Sequence, residues 1–543
     1  MITKVHIKGY RKFKELIFQP NKDINIIVGM NESGKTTLLE AITMALTGRH
    51  EGYRATEAFN PYWFNNELVD KYFASLRTGR KANPLKDLPE FRIDVHLETE
   101  RGERQKMRGI HNMLGEDSVG LSIHAYPDPE YCEELAQYLK DSDCPKVLPI
   151  EYYRLDWRDF ANQPVYRQPK GLGVAVIDTR TIRSDRGMDY YTRQLLEERL
   201  DARTRTHVSA AHRKMKSNLA DDLLDVLNTT FGTDLDNRSR IKLGVQVDQS
   251  RSTAWENTLT PSINNVPFSQ SGKGIQAIAK TLLAIGRTAQ SSSYLLIEEP
   301  ENHLSHTRLR ELLSHISGPE DQRQVFITTH SSYVLNRLGL NQLILLHNGK
   351  TKSFTQLSCE TTEYFKRLSG FDTLRLILAD KVVLVEGPSD EMIFNRFFYD
   401  RYGAEPLDYG VDVISIRGTS FRRAFELASL LDRQLVALRD TDEQQPNYWK
   451  ERIKEYTKPN IRTIHIGDPS LGKTLEPQIT SANDNAILCK ALGLESDADP
   501  SDWMKKHKTD AALKIATSRD TLTPPPYFKE AIDALSIPSL SRE

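Results

Sequence analysis

Gly29-Met30-Asn31-Glu32-Ser33-Gly34-Lys35-Thr36 stands between an apolar run (Ile24, Ile26, Ile27, Val28) and a helix-like stretch (Leu38, Leu39, Ala41, Ile42, Ala45, Leu46). Strand, glycine loop and helix in that order build a phosphate cradle. Gly29 and Gly34 let backbone N–H groups close on a polyphosphate, Lys35 reaches its outer phosphates, and the Thr36 hydroxyl ligates Mg²⁺ at the positive end of the helix. Asn31 and Thr37 join the same cofactor-binding set. The chain is expected to bind ATP or another nucleoside triphosphate.

Three further segments fit that chemistry. Tyr294-Leu295-Leu296-Ile297-Glu298-Glu299 is an apolar strand ending in two carboxylates, of which the first can hold a Mg²⁺ shell and the second can orient a water. Val325 to Thr328 is a strand followed by Thr329 and His330, which places the histidine to contact a γ-phosphate. Ser271-Gly272-Lys273-Gly274 opens a helix with a glycine-rich turn, a second anion site at a helix terminus.

A second constellation lies further on. Lys381 to Val385 is a buried-type strand that delivers Glu386, with Asp390 at the start of the following helix; Leu435 to Leu438 is another, followed by Asp440-Thr441-Asp442. Carboxylates at the C-terminal ends of neighbouring parallel strands converge in the crevice where α/β sheets bind ligands. Oxygen-only ligands suit Mg²⁺ or Mn²⁺, and several acids in one crevice repel unless cations sit between them.

The elements that must position these groups read as an α/β chain. Val5 and Ile7, then Leu16 and Phe18, alternate like an exposed strand pair, and Ile2 to Ile7 is strand-like rather than a leader. Residues 50–90 match neither period and read as an insertion. Phe91 to Leu97 alternates as a half-buried strand, and Ile150 to Leu155 reads as another. From about 185 to 230 the chain is helical and highly charged, the pattern of a solvated arm or a dimer contact. Strands return at Tyr294–Ile297, Val325–Thr328 and Leu343–Leu346, then at Lys381–Val385, Val411–Ile416, Leu435–Leu438 and Ile461–Ile466. Pro524 to Pro526 marks a turn.

With 543 residues, 38% hydrophobic and 27% charged, the chain reads as a globular protein of two or three domains. A net charge of −1 decides nothing about nucleic acid, because a neutral total can hide a basic groove beside an acidic metal site. Four scattered cysteines (Cys132, Cys144, Cys359, Cys489) lack metal-ligand spacing and read as packing residues in a reduced, cytoplasmic setting. No run of about 18 apolar residues points to a membrane.

The order GMNESGKT, SGKGIQ, YLLIEEPENHL, TTH resembles the ATPase head of the ABC class, in the branch shared by RecF, SMC and OLD-family proteins. That resemblance implies Walker A at Gly29 to Thr36, a signature loop at Ser271 to Gln276, Walker B ending at Glu298 with Glu299 as catalytic base, a D-loop at Glu301 to Leu304, and the switch His330. Glu298 stands where many members have Asp, and SGKGIQ where they have LSGGQ. Glu386 with Gly387, and Asp440 with Asp442, resemble the two motifs of a Toprim domain. An ABC head followed directly by Toprim is similar to the OLD family (overcoming lysogenization defect), which implies Asp390 and Glu476 as further metal ligands and Lys508 as the lysine near the scissile phosphate.

The implied architecture is α/β: an ABC-type ATPase domain over residues 1–180 and 241–370, a helical dimerisation insert over 181–240, and a C-terminal parallel-sheet Toprim nuclease domain over 371–543. The implied activity is an ATP-regulated, two-metal DNA endonuclease in bacterial anti-phage defence, working as a dimer or higher oligomer, sometimes with a helicase or reverse-transcriptase partner. Candidate DNA contacts are Arg417, Arg422, Arg423 and Lys473. The competing readings are a non-nucleolytic DNA-repair or chromosome-organising ATPase of the RecF/SMC type, and a topoisomerase, for whose strand-passage domains the residues after Lys381 leave no room.

Overall fold

The computed structural model describes residues 1–77, 85, 87–98, 103–140, 146–178, 201–233, 262–285, 293–302, 304–316, 323–367, 372–416, 421–441, 445–495, 498–535 and 537. Two compact units emerge, one of residues 1–25 and 34–329, the other of residues 26–33 and 330–543. The expected domain boundary at residue 370 falls inside the second unit.

In the first unit, β1 (Ile2–Tyr10) pairs antiparallel with β2 (Phe13–Phe18). The chain then passes through β3 (Ile24–Val28) and the phosphate loop into α1 (Lys35–Thr47). β4 (Phe91–Leu97), β5 (Ser118–Pro127) and β6 (Tyr153–Asp159) complete an antiparallel sheet in the order β2-β1-β4-β5, with β6 beside β5. Val5, Ile7, Leu16 and Phe18 are not on an exposed pair: all are 2% exposed or less. Alternation marks one apolar face, but it cannot say what packs on that face, where the Phe18 ring lies 6.4 Å from that of Phe326.

Two further expectations are corrected here. The stretch read as an insertion contains a helix, Asn66–Arg77, and an aromatic cluster in which Trp63 and Phe64 pack on Phe91, and Trp63 on Tyr10. Within the helix Leu68, Val69, Tyr72, Phe73 and Leu76 recur at helical spacing, a period hidden by the short irregular pieces on either side. Residues 150–152 form a 3₁₀ turn after Pro149, so the strand begins at Tyr153 and runs on to Asp159.

β7 (Val174–Asp178), β8 (Tyr294–Glu298) and β9 (Gln324–Thr328) lie parallel in that order, in register from Val174–Tyr294–Gln324 onwards. α2 (Ala202–Thr233) is a single 32-residue helix within the stretch read as an arm; residues 179–200 lie outside the described residues. α3 (Lys273–Ile285) follows the glycine-rich turn.

In the second unit, residues 26–28 of β3 pair parallel with β10 (Leu343–His347), which turns back on β11 (Lys350–Ser353). α4 (Cys359–Arg367) leads towards a four-stranded parallel sheet of β12 (Lys381–Val385), β13 (Val411–Ser415), β14 (Gln434–Arg439) and β15 (Arg462–Ile466), ordered β13-β12-β14-β15. α5 (Pro388–Tyr402), α7 (Leu475–Ala482), α8 (Lys508–Thr517) and α9 (Pro526–Ala534) share an apolar core with this sheet, including Val383, Phe394, Phe398, Val436, Ile479, Ile515 and Phe528. α6 (Phe421–Leu431) joins β13 to β14, and its buried Glu426 accepts hydrogen bonds from Ser358 N–H (2.6 Å), Ser358 Oγ (3.0 Å) and Thr361 Oγ1 (2.5 Å), tying it to the start of α4. Of the cysteines, Cys489 is buried and Cys132 half-buried, as packing requires, but Cys359 is exposed and Cys144 lies outside the described residues. Among the described residues no helix is long and apolar enough to cross a membrane.

Candidate functional site

The phosphate loop has the geometry its sequence demands. Gly34 caps α1 at φ 101°, a conformation that costs an L side chain strain and glycine nothing. A Cβ on Gly29 would lie 2.5 Å from the Leu346 carbonyl oxygen and 2.4 Å from Ser33 Oγ, so the backbone passes where only glycine fits. Asn31 is exposed in the loop, while Lys35 and Thr37 are buried in the first turn of α1. The Thr36 hydroxyl hydrogen-bonds Glu298, the buried carboxylate at the end of β8. This joins, within the first unit, the hydroxyl and the carboxylate expected to share a Mg²⁺ ion.

Glu299 follows at φ 42°; its carboxylate accepts from Asn302 Nδ2 (2.6 Å) and its N–H donates to Thr328 O (2.9 Å). At the glycine-rich turn, Gly272 opens onto free space, Gly274 lies in the first turn of α3, and buried Gln276 donates from Nε2 to Ser271 O at 2.7 Å. Such an N-terminal turn directs backbone N–H groups outward. In the second unit His330 is half-buried after β9.

The acids of the second unit are delivered from four segments. Glu386 follows β12, Asp390 sits in the first turn of α5, Asp440 follows β14, and Glu476 sits in the first turn of α7. Asp390 Oδ2 accepts from Gly387 N–H at 3.1 Å. Asp440 accepts from Leu475 N–H at 3.0 Å and from the hydroxyl of buried Tyr527 at 3.0 Å. Glu476 accepts from Thr474 Oγ1 at 2.6 Å and pairs with Lys508 Nζ at 3.3 Å. Lys508 begins α8 and is 56% exposed, against 11% for Glu476. Asp442 and Arg417 lie outside the described residues.

These carboxyls feel one another. Burial pushes Asp440 up to about 8, and the charges of Asp390 and Glu386 push the same way against its two hydrogen bonds. Burial likewise raises Asp390 to about 6, with Glu476 adding to the rise and Lys508 opposing it. Four carboxylates face two cations, Arg439 and Lys508, in an all-oxygen ligand set of the kind that matches a hard divalent ion. The residues therefore fit such a metal in kind. No three of the four acids bring ligand atoms within 4.8 Å of one another, because each carboxylate is drawn to its own donor.

Two residues escaped the sequence reading. Arg439 lies 3.4 Å from Glu386 Oε1 by its Nε, with its guanidinium 3.4 Å from the Trp449 ring centroid and 5.1 Å from that of Phe421. Its place directly before Asp440 was the available signal. Tyr527 had none, since its contact with Asp440 spans 87 positions. Of the expected DNA contacts, Arg422 pairs with Glu455 (3.4 Å), Arg423 stacks on Tyr364 (4.6 Å), and Lys473 is exposed two residues before Leu475. The three-ligand set that does meet at 4.8 Å among the described residues, Glu40, His50 and Glu51, already holds a cation: Arg11 pairs with Glu40 and lies 3.1 Å from His50 Nε2.

An AAA domain model matches residues 4–205, and a second one, described as an AAA domain, putative AbiEii toxin, type IV TA system, matches residues 193–336. The Overcoming lysogenization defect protein-like TOPRIM domain matches residues 377–442. The chain is 30% identical over 131 residues to the DNA replication and repair protein RecF of Lachnospira eligens, 24% of this chain and 33% of that protein. It thus spans about a third of that relative. Endonuclease GajA of Bacillus cereus is 17% identical over 535 residues, covering 83% of this chain and 76% of GajA. A solved structure of the C-terminal region of the Burkholderia pseudomallei OLD protein is similar at 16% identity and a TM-score of 0.23, covering 29% of this chain and 97% of that one.

Proposed function

For a chain that combines an AAA-type ATPase head with an OLD-like Toprim domain, we propose the function of a nucleotide-regulated, metal-dependent DNA endonuclease. The observation that supports the reading is that Glu386, Asp390, Asp440 and Glu476, delivered from four segments, lie near enough for the charges of Asp390 and Glu386 to raise Asp440 and that of Glu476 to raise Asp390. Mg²⁺ or Mn²⁺ bound there would supply Lewis-acid activation of water and neutralise charge on a phosphodiester. Glu386, Asp390, Asp440, Asp442 and Glu476 are the proposed ligands. Tyr527 and the Leu475 N–H fix the orientation of Asp440. Lys508, mostly exposed and paired with Glu476, is the proposed contact to a phosphate oxygen of the substrate.

In the head, Gly29, Asn31, Gly34, Lys35, Thr36 and Thr37 would hold ATP, Glu298 would share its Mg²⁺ with Thr36, and Glu299 would orient the attacking water. Ser271, Gly272, Gly274 and His330 would complete the γ-phosphate contacts of an assembled head pair. ATP occupancy regulates cleavage only by binding two arrangements unequally. The helical segment around α2 is the proposed dimerisation arm, the similarity to the endonuclease GajA supports the nuclease reading, and a role in anti-phage defence is what the OLD-family resemblance implies.

Plasmid cleavage by the intact chain, Asp440→Ala and Lys35→Ala, each with and without ATP and with Mg²⁺ or Mn²⁺, tests the assignment. Asp440→Ala is expected to lose at least about a hundredfold in cleavage at unchanged nucleotide binding, and Lys35→Ala to lose the response to ATP while keeping metal-dependent cleavage. Absence of cleavage by the intact chain under every one of these conditions would return it to the non-nucleolytic RecF/SMC reading, and undiminished cleavage by Asp440→Ala would overturn the assignment of the cluster.

A further inference from the structure

Glu386 and Asp440 leave adjacent strands of the second unit's parallel sheet towards opposite faces. β12 and β14 are in register, with Val383 beside Val436 and Leu384 beside Ala437. Val383, Val385, Val436 and Leu438 belong to the apolar core shared with α5, α7, α8 and α9. Asp440 continues their parity and meets Leu475 N–H of α7 and the Tyr527 hydroxyl of α9. Glu386 and Arg439 have the other parity and the same register, so they stand side by side on the far face. There Arg439 Nε lies 3.4 Å from Glu386 Oε1.

The two members of this pair differ in freedom. The Arg439 side chain is 5% exposed, with its guanidinium 3.4 Å from the Trp449 ring centroid and 5.1 Å from that of Phe421, while Glu386 is 23% exposed. Stacking on aromatic faces fixes a guanidinium plane, and the group keeps its proton at any ordinary pH. The carboxylate is thus the member that can turn, and the cation is the one that stays. On the other side, the charge of Asp390 reaches Asp440 and that of Glu476 reaches Asp390. An ion pair serving the sheet alone would sit away from these acids. The Glu386 charge still reaches Asp440, so one carboxylate lies between a fixed arginine and three other acids.

We propose that Arg439 gates metal loading: it holds Glu386 apart from Asp390, Asp440 and Glu476, so that these three take a first divalent ion without Glu386, and a second binds more weakly, only as the Glu386–Arg439 pair breaks. The proposal rests on the metal-dependent reading of the cluster and adds a rank order to it. Arg439 is a positioning residue, since it acts through Glu386. Cleavage that needs both ions is then switched on over a narrow range of metal concentration set by the arginine.

The test is binding of Mn²⁺ alone to the nucleotide-free full chain, with free Mn²⁺ counted by its electron paramagnetic resonance signal. The parent is compared with Asp440→Ala, Glu386→Gln and Arg439→Met, the last of which keeps an unbranched stem against Trp449. The parent is expected to bind two ions at the cluster with affinities at least about tenfold apart. Asp440→Ala loses the tighter event and Glu386→Gln only the weaker one. Arg439→Met tightens the weaker event at least about tenfold and moves the tighter one by less than about threefold, whereas general relief of positive charge would tighten both alike. A single event in the parent, equal shifts of both events or of neither in Arg439→Met, or a Glu386→Gln chain that loses the tighter ion or none, overturns the gate and leaves the metal site standing. Mn²⁺ binding by the parent no greater than by Asp440→Ala overturns the gate and the metal-dependent reading together. Should Arg439→Met not fold, the event lost in Glu386→Gln decides alone.

Discussion

Asp440→Asn tests the electrostatics of the carboxylate cluster without reference to catalysis. In the folded chain burial and the charges of Asp390 and Glu386 raise Asp440 from an ordinary 3.8 to about 8. A folded value above the unfolded one means that the native state binds the proton more tightly, so the stability tied to Asp440 is fully present below about pH 4 and is lost as pH rises towards 8. Four units at about 1.4 kcal/mol each set an upper limit on the order of 5 kcal/mol, and relaxation and water entry bring the expected loss to about 2–3 kcal/mol. Asparagine is isosteric: its oxygen keeps the Leu475 N–H and its amide can donate to the Tyr527 hydroxyl oxygen.

In EDTA the variant is therefore expected to be about 2–3 kcal/mol more stable than the parent at pH 8.5 and no more stable at pH 4. Adding Mg²⁺ at pH 8.5 should stabilise the parent and leave the variant nearly unmoved. Urea titrations read by hydrogen–deuterium labelling of the Gln434–Arg439 strand isolate the second unit. A difference between parent and variant that does not change with pH, or a variant less stable at pH 8.5, refutes the coupling.

Two other substitutions probe the frame around the sites. Gly29→Ala places a methyl against the Leu346 carbonyl, so isothermal titration should show ATP affinity reduced at least about tenfold, together with a loss of about 1–3 kcal/mol in stability; unchanged affinity would mean that the loop tolerates the side chain. Glu426→Ala leaves the buried Ser358 N–H and Thr361 hydroxyl without their acceptor and is expected to destabilise the second unit by about 3–5 kcal/mol in urea unfolding, whereas a loss below about 1 kcal/mol would show that water replaces the carboxylate.

The parts of the fold that could be read from sequence were those set by local steric rules. Gly34 at positive φ and Gly29 under Leu346 leave no other residue type possible, so the phosphate loop announces itself. The parallel strands β8, β9, β12 and β14 are short apolar runs ending in polar residues, and their spans differ from expectation by a residue or so. The burial of β1 and β2 was misread because one strand's alternation carries no information about its neighbours. Glu386 and Asp440 were visible as strand ends, and Asp390, Glu476 and Lys508 through the family resemblance, but the donors to Asp440 were not: Tyr527 and the Leu475 N–H reach it through tertiary folding alone.

The stacking of Arg439 on Trp449 has an optical corollary. The guanidinium rests 3.4 Å from the indole centroid while its Nε lies 3.4 Å from the Glu386 carboxylate, so any ligand that draws Glu386 away frees the arginine to shift over the ring. Indole emission responds to a cation at that range, which makes Trp449 a built-in dye for events at the acids. A chain keeping Trp449 as its sole tryptophan would let occupancy of the cluster be followed in real time, with no substrate present.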